Sequence, residues 1–320
     1  FLAVALLLPH GDLRPGDLPQ RQTTPDLADP GSDAFFAFTV DEDLSHVALF
    51  HDLAGTIDAA RRAYILLIGN SRAQLGWRED VIQREAQALG LEVFNLAVGH
   101  GETAQFALDV IRRHDLRPRV MIVSGGPFIY STDRSAWAET VQAMGGWEAR
   151  KRFFENTAAW HIRAALHWFV PRLDYHGVPL TGGWVHYRSA RTGWWRNALE
   201  PDNRYPVAFF AEPASHAEPL AFARMLQAEA GSRGAMLVLT MVPYGNTQSA
   251  HVRVLADALG VPAIVPSFEG QETADGSHLH RDSAVRASRE FWEAFVRHPV
   301  IRSQLALEPI QSRTTAGVSQ

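Results

Sequence analysis

Two short polar segments, far apart in the chain, carry the residue types of a serine nucleophile and its base. Ser71 follows the apolar run Tyr64-Ile-Leu-Leu-Ile-Gly69 and Asn70, whereas Asp275 and His278 lie in a polar loop near the end of the chain. A carboxylate three residues before an imidazole can orient the ring and stabilise its protonated form. Ser71 is therefore a candidate catalytic residue, provided that the fold brings Asp275 and His278 close to it.

A doubly wound α/β fold would bring these segments together. Apolar runs that alternate with helical patterns predict a flavodoxin-like sheet of five parallel strands, each apolar for most of its length because helices cover both faces. Ligands bind such sheets outside the carboxyl ends of the strands, where Ser71 is expected. The predicted strands span residues 64–69, 93–98, 120–125, 235–243 and 261–265.

Composition divides the chain into a catalytic domain, an insertion and two terminal segments. Residues 131–215 hold seven of the nine tryptophans and are predicted to form an insertion or lid between strands 3 and 4. The α/β domain is expected at 63–130 and 216–300, and residues 301–320 are expected to form a C-terminal tail. Residues 1–62 are interpreted as an N-terminal segment and linker, whose apolar start Phe1–Leu8 is expected to end a signal or membrane anchor that begins upstream.

Overall composition excludes several function classes. The 320 residues, 46% apolar and 20% charged, are enough to bury a core. A net charge of −5 argues against nucleic-acid binding, which needs a basic surface. The absence of cysteine excludes disulfides, thiolate metal sites and a cysteine nucleophile.

From Tyr64 to Arg297, apart from the insertion, the chain resembles the SGNH or GDSL hydrolase superfamily of esterases and acyl transferases. The Gly-Asp-Ser block of that family is matched by Gly69-Asn70-Ser71, with asparagine in place of aspartate. The resemblance implies that Ser71 is the nucleophile and that the final Asp-x-x-His block is Asp275 to His278, with His278 as the general base and Asp275 as the residue that orients it. It further implies that the backbone N–H groups of Ser71 and Gly99 hold the oxyanion.

The third block departs from the family pattern. Members usually carry Gly-x-Asn-Asp, but here the third strand continues into Gly125-Gly126-Pro127-Phe128, so the asparagine donor is absent. Loss of one oxyanion donor typically lowers the rate by about 10²–10³-fold. Arg72, Ser124 or a group from the insertion could replace it.

The insertion provides the expectations about substrate. Trp184, Trp194 and Trp195 offer flat rings that could stack on sugars, although tryptophans are equally suited to a core. The substrate-binding candidates are these three residues with Asn70, Arg72 and Ser124.

A Gly-x-Ser-Arg block together with an insertion and an N-terminal membrane segment is similar to superfamily members that add or remove acetyl groups on cell-envelope polysaccharides. The resemblance implies an extracytoplasmic, periplasmic and membrane-anchored acetylesterase or O-acetyltransferase without a cofactor. Its partners would be a carbohydrate or acyl ester substrate and no nucleic acid.

Four alternatives compete with this interpretation. A non-catalytic glycan-binding or scaffolding subunit could keep the fold without the chemistry. The segment Gly99–Ala104 fits a G-x-G-x-x-A dinucleotide fingerprint but lacks the later acidic residue. His278 and His280 could ligate a metal with Asp275, although no further cluster of ligand residues appears in the sequence. An ordinary α/β-hydrolase fits less well because the glycine that closes its nucleophile turn is missing after Ser71.

Overall fold

The computed structural model describes residues 32–38, 44–99, 102–129, 132–169, 186–197, 204–207, 217–244 and 249–307. Its strands are β1 (Ala34–Phe38), β2 (Ile65–Ile68), β3 (Val93–Asn95), β4 (Val120–Ser124), β5 (His186–Ser189), β6 (Trp195–Asn197), β7 (Tyr205–Pro206), β8 (Met236–Thr240), β9 (Ala263–Ile264) and β10 (Glu272–Thr273). Its helices are α1 (Leu44–Phe50), α2 (Thr56–Arg62), α3 (Ser71–Gly76), α4 (Glu79–Gln87), α5 (Ala104–Arg113), α6 (Ala136–Ala143), α7 (Gly146–Phe169), α8 (Ala217–Ser232), α9 (Ser249–Leu259), α10 (Arg281–Arg297) and α11 (Pro299–Leu305), with a 3-10 turn at Pro127–Ile129.

The central sheet has five parallel strands in the order β3-β2-β4-β8-β9. This order places the first strand of the sheet between the second and the third, so the predicted flavodoxin-like arrangement is confirmed. All five predicted strands are present, although β9 is shorter than the run 261–265 predicted. The carboxyl ends of β2, β4 and β8 lie side by side, because Ile68 is level with Val123 and Leu239.

Both faces of the sheet are buried under helices, which explains why its strands are apolar throughout. In β2, Leu66 and Ile68 pack into the larger apolar cluster, whereas Ile65 and Leu67 pack into the cluster on the opposite face. The alternation follows from the two-residue repeat of a strand. The larger cluster includes residues of α1, α5, α8 and α9, and the second includes residues of α4, α10 and α11.

The segment between β2 and β3 forms two helices, α3 and α4. The chain leaves the helical conformation at Trp77 and Arg78, both of which have extended backbone angles. Trp77 is buried against the ring of Phe291, and the N–H of Arg78 donates to Ser288 Oγ at 2.8 Å. At the break, contacts with α10 therefore replace those that a continuous helix would make.

The described ends of the chain belong to the domain, which corrects two predicted boundaries. Within the segment 1–62, β1 pairs with β5, and all seven residues of α1 are buried. Within 301–320, Ile301 and Leu305 of α11 join the core. Phe1–Leu8 and residues 308–320 lie outside the described residues. Among the described helices, none is long and apolar enough to cross a membrane.

The hairpin formed by β5 and β6 comes from the segment predicted to be an insertion and packs tightly on the parallel sheet. Gly193 in its turn has φ +79°, and a Cβ there would overlap the carbonyl oxygen of Asn95 at the end of β3. The buried guanidinium of Arg188 donates to the carbonyl oxygens of Asn95 at 2.6 Å and Ala97 at 3.1 Å. A lid function for residues 131–215 stays a prediction, because 170–185 and 198–203 are outside the described residues.

Candidate active site

Ser71 is the first residue of α3, directly after the carboxyl end of β2. Asn70 caps this helix, since its Oδ1 accepts a hydrogen bond from the N–H of Arg72 at 3.1 Å. Gly69 makes the turn tight, because a Cβ at this position would overlap the Cβ of Ala73. The half-buried hydroxyl of Ser71 is therefore held at the sheet edge by a short, fixed turn.

The structure brings Ser71, His278 and Asp275 into one chain of hydrogen bonds. The Nε2 atom of His278 lies 3.0 Å from Ser71 Oγ, and its Nδ1 atom lies 2.7 Å from Asp275 Oδ2. With the proton on Nδ1, the Nε2 atom can accept the serine proton while the carboxylate stabilises the resulting imidazolium. The geometry is that of a nucleophile, a general base and a group that orients the base.

The loop that carries the base is organised around Asp275. Its Oδ1 atom accepts hydrogen bonds from the N–H groups of Ser277 at 2.8 Å and His278 at 2.7 Å. Partial burial raises the pKa of Asp275, but the hydrogen bonds and charge of His278, with the backbone donors, outweigh it and lower the pKa from 3.8 to about 2. Asp275 is therefore ionised at neutral pH and holds the His278 ring in place.

Gly99 approaches Ser71 because the chain after β3 continues alongside β2. The N–H of Leu96 donates to the carbonyl of Leu67 at 2.8 Å, and that of Val98 donates to Gly69 at 3.0 Å. Within the described part of the chain, no backbone carbonyl accepts a hydrogen bond from the N–H of Ser71 or of Gly99. Both N–H groups are thus available for an anionic oxygen formed near Ser71 Oγ.

Ser124 and Arg72, the residues considered as replacements for the missing oxyanion donor, lie in different surroundings. Ser124 ends β4 but is only 4% exposed and lies beneath Gly69, so it is a packing neighbour of the turn. The half-buried Arg72 donates from Nε to Ser277 Oγ at 3.1 Å, and its guanidinium lies 4.0 Å from the centre of the Tyr244 ring. Arg72 thus joins α3 to the loop that carries His278.

The tryptophans expected to stack on a sugar are buried, which corrects that expectation. Trp194 is 1% exposed, and its Nε1 donates to the carbonyl of Trp77 at 2.6 Å. Trp195 is 8% exposed and packs against Phe35 of β1. Their rings are covered because they anchor the β5–β6 hairpin. Trp184 lies outside the described residues.

A cavity of about 270 Å³ adjoins the Asp275 and His278 side of the site. It is bordered by polar side chains of α3, α4 and the hairpin as well as by the edges of the buried tryptophans. Two of its arginines are paired with carboxylates, Arg78 with Asp80 and Arg196 with Glu79. The polar lining residues, apart from these, include Gln74, Asp275, His278 and Arg281.

The histidine considered as a second metal ligand has a structural position. His280 is 7% exposed and caps α10, with its Nδ1 accepting from the N–H of Asp282 at 3.4 Å. Over the described ranges, no group of three histidine, aspartate or glutamate side chains is arranged to hold a metal ion.

Gln74 supports the site, and the sequence analysis missed it. Its buried amide donates from Nε2 to the carbonyls of Ala97 at 2.6 Å and Gly193 at 3.0 Å, while its Oε1 accepts from the N–H of Trp195 at 2.8 Å. The one available signal was a glutamine in a stretch that must be buried behind Ser71. That signal identifies no partner.

A second cluster of serine, histidine and carboxylate residues lies near Gly99 and was also missed. The buried Glu102 accepts hydrogen bonds from His46 Nε2 at 3.1 Å and from Ser135 Oγ at 2.5 Å. Burial raises the pKa of Glu102, but these bonds outweigh it and lower the pKa. Because the carboxylate stands between the serine and the histidine, the imidazole of His46 has no hydrogen bond to the Ser135 hydroxyl.

Comparisons with known proteins find only distant structural similarity. No protein-family model matches the sequence, and no curated protein matches it significantly. A candidate acylhydrolase from Bacteroides fragilis is 9% identical, with a TM-score of 0.39 over 77% of this chain and 96% of that one. A GDSL-like lipase from Bacteroides thetaiotaomicron is 10% identical, with a TM-score of 0.39 over 79% of this chain and 98% of that one. Because both TM-scores are below 0.5, neither neighbour supports an argument about this chain. Its fold is defined by its own strands and its site by its own side chains.

Replacement of Gln74 by leucine should destabilise the fold more than the same change at Gln83. Gln74→Leu leaves one buried carbonyl and one buried N–H without a partner, because Arg188 still donates to the other carbonyl, whereas the half-buried Gln83 donates one bond, to Val93 O at 2.7 Å. Each buried polar group left unpaired costs about 1–3 kcal/mol, so the unfolding free energy should fall by about 2 kcal/mol more in Gln74→Leu. Urea unfolding of both variants measures the difference, and equal losses would contradict the role assigned to Gln74.

Asp275→Asn should have a pH-dependent effect on stability. The folded-state pKa of about 2 lies below the ordinary 3.8, so ionised Asp275 stabilises the fold above pH 3.8 and ceases to do so as the pH falls toward 2. The urea midpoint of the wild type should therefore exceed that of Asp275→Asn at pH 7, and the gap should narrow below pH 4. The exposed Asp257, changed to asparagine, is the control. A gap that stays constant with pH refutes the expectation.

Proposed function

We propose that this chain is a serine-dependent ester hydrolase that works through an acyl-serine intermediate. The observation that carries the proposal is the hydrogen-bonded series of Ser71, His278 and Asp275, with distances of 3.0 and 2.7 Å. The nucleophile and the base come from segments separated by 207 residues. Such an arrangement at the carboxyl edge of a parallel sheet, where ligands bind, supports catalysis better than a chance surface contact does.

The mechanism has two halves that use the same base. In the first, Ser71 Oγ attacks the acyl carbonyl while His278 Nε2 takes its proton and then passes it to the leaving alcohol. In the second, His278 removes a proton from water, which attacks the acyl-serine. The bond between the acyl carbon and Ser71 Oγ then breaks, His278 returns the proton to Ser71 Oγ, and the acid is released. In both halves Asp275 stabilises the imidazolium, and the N–H groups of Ser71 and Gly99 are the proposed donors to the tetrahedral oxyanion.

The solvent exposure of the base favours water over a sugar hydroxyl as the acceptor of the acyl group. The side chains of His278 and Asp275 retain 23% and 35% exposure, so the base is in contact with solvent. A transferase must exclude water from its acyl intermediate and position a sugar hydroxyl instead. We therefore propose hydrolysis as the main reaction and O-acetyl transfer as a second reaction when a sugar acceptor is bound.

We propose acetylated carbohydrate of the cell envelope as the substrate class. The polar border of the 270 Å³ cavity supports this class, because its carboxylates and arginines can pair with hydroxyl groups. The buried Trp194 and Trp195 do not contribute to that support. The proposed extracytoplasmic location depends on the resemblance and on Phe1–Leu8.

A serine-directed fluorophosphonate should label Ser71. Ser71→Ala should abolish both labelling and hydrolysis of a chromogenic acetyl ester, because it removes the attacking oxygen, while circular dichroism stays unchanged. Ser277→Ala, in the neighbouring loop, is the control and should keep the label even if turnover falls. Mass spectrometry of the labelled peptide identifies the site. A label that persists in Ser71→Ala would place the nucleophile elsewhere.

Hydrolysis and transfer can be separated by adding an acceptor. With the acetyl ester alone, we expect acetate to appear at the same rate as the chromogenic alcohol. With an oligosaccharide acceptor, most acetyl groups should still appear as acetate, because water reaches His278. Acetate and acetylated sugar are quantified by NMR. Transfer that exceeds hydrolysis would establish a transferase, whereas inertness of the folded protein would favour a non-catalytic glycan-binding subunit.

A further inference from the structure

Arg72 differs in its charge balance from two other arginines near the site. Arg78 and Arg196 are each paired with carboxylates. Arg72 is half-buried next to the nucleophile, yet no ion pair joins it to a carboxylate anywhere in the described part of the chain. The stretch 245–248, which directly follows Tyr244, is Gly-Asn-Thr-Gln and has no acidic residue to offer.

The contacts of Arg72 fix its orientation and leave most of its donors unused. The Nε atom donates to Ser277 Oγ at 3.1 Å, and the guanidinium lies over the Tyr244 ring at 4.0 Å. A guanidinium carries five N–H donors, so four remain on the two Nη nitrogens. Neither Nη nitrogen has a hydrogen-bond partner among the described residues, and neither is buried away from solvent.

An arginine held in this way has the properties of an anion-binding group. Burial lowers the pKa of Arg72, and Tyr244 and Asp275 offset that effect only through space. A planar fork that is already oriented binds a carboxylate through two parallel bonds and loses little side-chain entropy on binding. The partly desolvated charge also gains more from an anion than a fully hydrated arginine would.

We propose that Arg72 binds a carboxylate carried by the substrate next to the scissile ester, so that the enzyme acts on anionic esters. The inference rests on the proposed ester hydrolysis and narrows its substrate class. For a carbohydrate substrate, it selects acidic sugars or acidic acyl groups over neutral acetylated sugars. Arg72 is then a specificity-determining residue, and its bond to Ser277 couples a bound anion to the loop that carries His278.

Binding to an inactive variant tests this proposal without relying on turnover. In Ser71→Ala, NMR titrations compare three esters of similar size: phenyl acetate, which is neutral, phenyl hydrogen succinate, charged on the acyl side, and 4-acetoxybenzoate, charged on the alcohol side. At least one charged ester should bind about 10- to 100-fold more tightly than phenyl acetate, the range of a charge-assisted pair. The two charged esters show which side of the ester carries the recognised carboxylate.

Changing Arg72 should remove this preference. Ser71→Ala with Arg72→Gln should bind charged and neutral esters within about threefold of each other, whereas Ser71→Ala with Arg84→Gln should keep the preference. Arg84 is an exposed arginine paired with Glu85 and controls for the change in net charge. Equal binding of all three esters by Ser71→Ala, or a preference that survives Arg72→Gln, overturns the proposal. Hydrolysis of phenyl acetate by the wild type tests the proposed function separately.

Discussion

The buried amide of Gln74 links the three segments on which the site depends. It lies one turn after Ser71 in α3, and its donors reach the carbonyls of Ala97 and Gly193 while its oxygen accepts from Trp195. A buried amide without partners is costly, so these bonds favour the relative position in which the three segments are found. That position sets the distance from Ser71 to the segment after β3, and it also holds the hairpin against the sheet.

The base reaches Ser71 through a second set of constraints at the far end of the chain. Asp275 fixes its own loop through two backbone N–H groups before it contacts the His278 ring. The bond from Arg72 to Ser277 and the bond from Arg78 to Ser288 then hold this loop and α10 to the segment that follows β2. The hydrogen bond between nucleophile and base is thus supported on both sides by contacts that carry no chemistry.

The order of hydrogen bonds, more than residue type, separates this site from the cluster around Glu102. The site and the cluster each contain a serine, a histidine and a carboxylate joined by hydrogen bonds. In the cluster, Ser135 and His46 both contact the carboxylate, and Ser135 Oγ also accepts from the N–H of Ala138 at 3.0 Å. These bonds tie the start of α6 and the buried α1 to the chain just after Gly99. The cluster is a structural support for the loop that holds a proposed oxyanion donor.

The sheet and the residues placed at its edge could be predicted from the sequence, because buried parallel strands are apolar and their carboxyl ends converge. Three other features depend on partners that are distant in the chain. The break after Gly76 comes from packing against α10, and the burial of α1 comes from its place beside α5. The burial of Trp194 comes from its docking on Trp77. A local pattern contains no information about such partners. The sequence around a tryptophan that anchors a hairpin therefore does not differ from that around a tryptophan that binds a sugar.

The distance between Ser71 and His278 along the chain has a consequence for synthesis. At translation rates of about 5–20 residues per second, the 207 residues between them take roughly 10–40 s to emerge. During that interval β2, β3 and β4 can pair, and Ser71 can reach its turn, but His278 has not yet been made and cannot accept its proton. A serine hydroxyl without a base is a weak nucleophile. Ser71 of the nascent chain therefore stays a weak nucleophile until the last helices dock, and it becomes reactive only when the fold is complete.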